Sequence, residues 1–121
     1  MDILLVDDSK VMRSIVQRSI RQAGYRSLEF AEADSGRSAL ERLQECKPKL
    51  IVSDWNMPEM TGIELLEHVR ANKMDIPFGF ITSESSTEIR EIALKAGAKF
   101  VLPKPFTVDD VQDALAPILG G

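Results

Sequence analysis

The sequence predicts an open, doubly wound α/β fold, a five-stranded parallel sheet with helices on both faces. Three observations predict it. Short apolar runs recur five times along the 121 residues. Most of them show little polar alternation, as expected of strands buried on both faces. Each run is followed by a longer stretch whose apolar residues repeat at helical spacing. Five such βα units joined by right-handed crossovers give this architecture, with helices shared between the two faces.

The first strand is read at Ile3–Val6 and ends in Asp7-Asp8. In the helix that follows, Val11, Met12, Ile15, Val16, Ile20 and Ala23 share one face, with Arg13, Gln17, Arg18 and Arg21 outside it, and Gly24 ends it. The second strand, Leu28–Ala31, lies within Ser27–Glu32, which alternates and therefore suits a sheet edge. Ala39, Leu40 and Leu43 mark a second helix, closed by Lys47-Pro48. The third strand, Leu50–Val52, runs into Asp54, and Ile63, Leu66 and Val69 mark the third helix. The fourth strand, Phe78–Ile81, runs into Thr82-Ser83; Ile89, Ile92, Ala93 and Ala96 mark the fourth helix, stopped by Gly97. The fifth strand, Phe100–Leu102, precedes Lys104-Pro105-Phe106. The last helix carries Val108, Val111, Leu115, Ile118 and Leu119, with Thr107 as its N-cap, Asp109 and Asp110 in its first turn, and Pro117 weakening or bending its last. The five units fill residues 1–121, read as one domain with no room for a second.

Composition narrows the function classes. Hydrophobic residues are 44% and charged residues 28%, ordinary for a globular domain. Fifteen Lys and Arg stand against nineteen Asp and Glu, a net charge of −4, which argues against nucleic acid as the primary ligand and against a polybasic membrane anchor. The single cysteine, Cys46, makes neither an internal disulfide nor a zinc cluster and is read as a helix-end packing residue in a reducing compartment. No apolar run approaches the ~20 residues of a bilayer helix, and the N-terminus is not a signal peptide, so a cytoplasmic protein is expected.

In doubly wound sheets, ligands bind beyond the carboxyl ends of the strands. Those ends carry Asp7, Asp8, Asp54, Thr82 and Lys104. Singly, each has an ordinary explanation. Asp8 or Asp54 would serve as a cap, Thr82 as a branched strand residue, and Lys104 as a solvated charge. Together at adjacent strand ends they bring three carboxylates, a hydroxyl and an ammonium to one pocket. Clustered carboxylates repel, and such a set suits a hard cation such as Mg²⁺, which takes few carboxylates and a phosphate oxygen. A carboxylate in that setting can accept a phosphoryl group, with a lysine neutralising the transferring charge.

These residues lie in Leu5-Val6-Asp7-Asp8-Ser9 with Met12-Arg13, in Ser53-Asp54-Trp55-Asn56-Met57-Pro58 with Met60 and Gly62, in Ile81-Thr82-Ser83-Glu84, in Lys95-Ala96-Gly97-Ala98 and in Lys104-Pro105-Phe106. In order and spacing the chain resembles the receiver domains of two-component response regulators, and among them the stand-alone chemotaxis receivers. The resemblance implies a flavodoxin-like (βα)5 sheet with strand order 2-1-3-4-5. It implies Asp54 as phosphoacceptor, Asp8 as a direct Mg²⁺ ligand, Asp7 as one acting largely through water, and a backbone carbonyl of Asn56 completing the metal set. It further implies that Thr82 meets the phosphoryl group, that Lys104 pairs with it, and that a cis peptide precedes Pro105. Asn56 and Glu84 would tune hydrolysis of the acyl phosphate.

One position departs from that pattern. Receivers of this kind usually carry an aromatic switch residue three positions before the lysine, where this chain has Val101. Phe100 is adjacent, but neighbouring strand residues point to opposite faces, so it is no substitute. Signalling is then expected to run through the loop after Thr82 and the fourth helix. Trp55 is read either as lying across the pocket mouth or as a partly buried loop aromatic, Met57 and Met60 as packing that loop against the sheet edge, and His68 as a solvated or partly packed helix residue.

The function expected from this is a phosphorylation-dependent switch rather than a metabolic enzyme, with only autocatalytic phosphoryl acceptance and hydrolysis. The implied partners are a sensor histidine kinase of the CheA type, a target such as the flagellar motor switch that meets the helix 4–strand 5–helix 5 surface, and a phosphatase, with the receiver itself a monomer. A phosphorelay intermediate and a receiver excised from a larger regulator are the alternatives. A Mg²⁺-dependent aspartyl-phosphate phosphatase would place two aspartates one residue apart on one strand end, whereas Asp54 has Asn56 there. A nucleotide-binding flavodoxin relative would want a Gly- or Ser/Thr-rich loop in place of Asp7-Asp8-Ser9.

Overall fold

The computed structural model describes residues 1–84 and 86–120. Its elements alternate strictly: β1 (Ile3–Val6), α1 (Lys10–Gln22), β2 (Phe30–Ala33), α2 (Gly36–Glu45), β3 (Leu50–Asp54), α3 (Gly62–Ala71), β4 (Phe78–Thr82), α4 (Thr87–Lys95), β5 (Phe100–Pro103) and α5 (Val108–Leu119). The strands form one parallel sheet in the order β2-β1-β3-β4-β5. β1 and β4 are buried along their whole length, as their continuous apolar runs require.

The side chains divide into two cores by strand parity. On one face, Leu4, Val6, Ile51, Phe78, Phe80 and Val101 pack beneath α2, α3 and α4 through Ala39, Leu43, Leu65, Leu66, Val69 and Ala93. On the other, Ile3, Leu5, Leu50, Val52, Ile81 and Leu102 pack beneath α1 and α5 through Val16, Ile20, Val111 and Leu115. Among the described residues, no helix is long and apolar enough to cross a membrane.

Local signals set the helix ends. Ser9, Ser35, Thr61, Ser86 and Thr107 each accept a backbone N–H from the first turn of the helix they precede. At α3 and α5 the arrangement is reciprocal, Thr61 with Glu64 and Thr107 with Asp110. Ser9, not Asp8, caps α1, which leaves the Asp8 carboxylate free of that task. α5 continues through Pro117 to Leu119, and the Tyr25 hydroxyl donates to the Gly120 carbonyl just beyond it, at 2.7 Å.

Two expectations change. β2 lies two residues later than Leu28–Ala31, because Ile3 pairs with Phe30 and its N–H with the Glu29 carbonyl. Helix α2 ends at Glu45, just ahead of the Lys47-Pro48 pair expected to close it. Cys46, its C-cap, is exposed rather than packed, since its extended backbone turns the chain out of the helix there.

Candidate functional site

Sheet register brings the site together. Val6 pairs with Ser53, which sets Asp7 abreast of Asp54 just beyond the β1–β3 ladder. Asp54 pairs with Ile81, so Thr82 lies one step further along β4. Thr82 pairs with Pro103, and the Lys104 N–H donates to the Thr82 carbonyl at 2.8 Å, carrying the edge strand one residue onward. The Lys104–Pro105 peptide is cis.

Carboxylate oxygens of Asp7, Asp8 and Asp54 all lie within 4.8 Å of one another. Asp7 is buried, Asp54 half-buried and Asp8 exposed, so the cluster opens to solvent on the Asp8 side. Lys104 Nζ sits 3.6 Å from Asp54 Oδ1 and 4.0 Å from Asp7 Oδ2. Three carboxylates against one ammonium leave two negative charges uncompensated. Burial pushes the Asp7 carboxyl from its ordinary 3.8 up to about 6, and the charges on Asp54 and Asp8 add to the push. The Ser9 N–H, which donates to Asp7 Oδ1 at 2.9 Å, and Lys104 oppose it. Hard oxygen donors with a charge deficit of two suit a metal ion, and Asp7, Asp8 and Asp54 could hold one.

Thr82 is fully buried. Its hydroxyl accepts the Glu84 N–H at 2.9 Å and reaches the Glu84 carbonyl at 3.2 Å, so it is tied to the start of the β4–α4 loop. Glu84 and Asn56 are exposed. Gly62 opens α3 hard against the end of β3: a Cβ there would fall 2.2 Å from the Asp54 carbonyl oxygen and 2.8 Å from Phe80 Cε1.

The remaining residues singled out in the sequence are engaged in packing or exposed. Trp55 turns its ring to Phe80, edge on, with centroids 4.9 Å apart, and packs against the α2–α4 core. Met57 is buried in that core, and Met60 packs against it and close over Gly36. Val101 is buried on the same face, whereas Phe100 covers Gly79 on the α1–α5 face, where a Cβ would meet its Cζ at 2.1 Å. His68 is exposed. One residue of the site was missed. Arg13, assigned to the outer side of α1, lines the crevice that also holds Asp7 and Asp54, and its guanidinium donates to the Asp7 carbonyl. The available signal was its place one turn into the helix that starts beside Asp7-Asp8.

The response regulator receiver domain model matches residues 3–116. The chain belongs to the response regulator receiver family. Chemotaxis protein CheY1 of Helicobacter pylori is 38% identical to it, over 99% of this chain and 98% of the relative. A CheY homolog of Campylobacter jejuni is 37% identical, over 99% and 93%. Among solved structures, the chemotaxis protein CheY4 of Vibrio cholerae superposes with a TM-score of 0.84 at 35% identity, covering 98% of each chain. The receiver fold and strand order expected from the sequence are those observed.

Proposed function

We propose that this receiver is a phosphorylation-dependent chemotaxis switch that accepts a phosphoryl group on Asp54. The observation that carries the reading is Lys104 Nζ at 3.6 Å from Asp54 Oδ1 within a three-carboxylate cluster, in a chain of receiver family. The chemistry needs little more than positioning and charge stabilisation. An Asp54 carboxylate oxygen attacks the phosphorus of a phosphohistidine on a sensor histidine kinase. The O–P bond forms as the P–N bond breaks, and the imidazole leaves with the electron pair. Lys104 and the Thr82 hydroxyl then donate to phosphoryl oxygens. Asp7, Asp8 and Asp54, with a main-chain carbonyl of Asn56, would hold Mg²⁺, which would supply the remaining countercharge on the transferring group. Water later cleaves the acyl phosphate, at a rate tuned by Asn56 and Glu84, both of them exposed.

Transmission follows from Thr82. Its hydroxyl holds both backbone groups of Glu84, so engaging a phosphoryl oxygen draws on the same oxygen that anchors the β4–α4 loop. Val101, small and buried, leaves that loop and α4 as the route to the α4–β5–α5 surface. A flagellar motor switch component is the target that the chemotaxis relatives suggest, a phosphatase the further partner, and the cytoplasm the site of action.

Acetyl phosphate with Mg²⁺, followed by intact-mass measurement, tests the reading. We expect a single phosphoryl adduct that is lost in Asp54→Asn. An adduct of undiminished level in that variant sinks the mechanism. Capture of targets with and without beryllofluoride tests the switch, and identical partner sets would reduce the domain to a passive scaffold.

A further inference from the structure

β1 ends at Val6, and its last bond to β2 is the Asp7 N–H to the Ala33 carbonyl. The Asp7 carbonyl lies one step beyond the end of β1, and it belongs to the peptide that joins the two acidic residues. Arg13 takes it. Its Nη1 donates to that carbonyl, while its Nε donates to Glu32 Oε1 on the edge strand at 2.8 Å. The Arg13 side chain is only 12% exposed, unlike a solvated helix charge, whereas that of Glu32 is 42% exposed. A planar guanidinium held at two points has a fixed orientation, and charge-assisted bonds of this kind are the stronger ones.

We infer that Arg13 is a positioning residue for the cation site: it sets the plane of the Asp7–Asp8 peptide, and Glu32 sets Arg13. The inference rests on the Mg²⁺ reading of the carboxylate cluster. It makes a surface residue of the sheet edge, with no carboxylate in the cluster, part of the machinery that decides how well the cation is held. Partners of this outer kind usually change metal affinity about tenfold or more when removed.

Electrostatics and positioning predict opposite signs, which makes the test sharp. Removing a cation beside an acidic cluster tightens Mg²⁺ binding by charge alone, whereas losing the clamp weakens it. Calorimetric Mg²⁺ titration of the purified protein reads the difference. We expect Arg13→Lys and Arg13→Ala to weaken Mg²⁺ binding, by about tenfold for Arg13→Ala. Glu32→Gln keeps an acceptor for Nε and binds Mg²⁺ as the wild type does, although it has lost its charge. Glu32→Ala weakens binding, and adds nothing on the Arg13→Lys background. A purely structural Arg13 would lower the melting temperature without changing Mg²⁺ affinity, and that result overturns the inference, as does tighter binding in either Arg13 variant. A wild-type protein that binds no Mg²⁺ refutes the underlying cation reading instead. If Arg13→Ala does not fold, Arg13→Lys and the exposed Glu32 variants still decide.

Discussion

Burial and two neighbouring carboxylates hold the Asp7 carboxyl at about 6, well above the 3.8 of the unfolded chain. Below about pH 4 both states are protonated and Asp7 costs nothing. Between about pH 4 and pH 6 the unfolded chain releases this proton while the folded state keeps it, so stability falls until the folded carboxyl ionises as well. The penalty is complete above neutral pH and is on the order of 2 kcal/mol, allowing for water at the open side of the cluster. Asp7→Asn keeps an oxygen for the Ser9 N–H and removes the charge. In metal-free buffer it should therefore stabilise the protein above neutral pH and do nothing below about pH 4. Paired denaturant melts at the two pH values check this, and an equal effect at both would show that charge is not the cause. At this scale the acidic and basic strand-end residues were legible because their position follows from the fold class alone. Arg13 was not. Its role depends on a carbonyl six residues back and a carboxylate nineteen residues on, and helical periodicity reports only that it lies off the apolar face.

Elements were legible where pattern and boundary coincide, and less so where pattern repeats. Shifting β2 by two residues keeps every side chain on its face, so alternation cannot choose between Leu28–Ala31 and Phe30–Ala33. The choice is made by pairing with Ile3. The junction of β3 and α3 shows the opposite case. Gly62 appears in the sequence as one small residue in a receiver motif, but the structure gives it a contact. Its N–H donates to the Trp55 carbonyl at 2.9 Å, and its missing side chain lets α3 begin against the Asp54 backbone and the Phe80 ring. Neither backbone nor a fully buried ring yields readily. Gly62→Ala should therefore destabilise the fold by about 1–3 kcal/mol and shift the end of β3. We expect slower acetyl-phosphate labelling of Asp54 even well below the melting temperature. A variant that melts early but labels at the wild-type rate would confine Gly62 to packing.

At the scale of the molecule, the net charge of −4 is distributed so that an uncompensated part of it is fixed at the sheet's carboxyl end. The register of β1 on β3 sets Asp7 abreast of Asp54, and Asp8 follows directly in the chain, so carboxylate repulsion is built into this end of the sheet. A cation that binds only the folded state then adds to global stability by mass action. At ten times its dissociation constant, Mg²⁺ should contribute about 1.4 kcal/mol, or roughly 5 °C in melting temperature for a domain of this size. Screening by salt also relieves repulsion, so the comparison must be made against monovalent salt of matched ionic strength. Asp8 separates the two effects. It is exposed and caps no helix, so Asp8→Asn should leave the metal-free fold close to wild type while removing most of the Mg²⁺ increment. Scanning calorimetry of both proteins, with Mg²⁺ and with a chelator, measures it. A wild-type shift no larger than that of matched monovalent salt would mean that the carboxylates meet without forming a cation site.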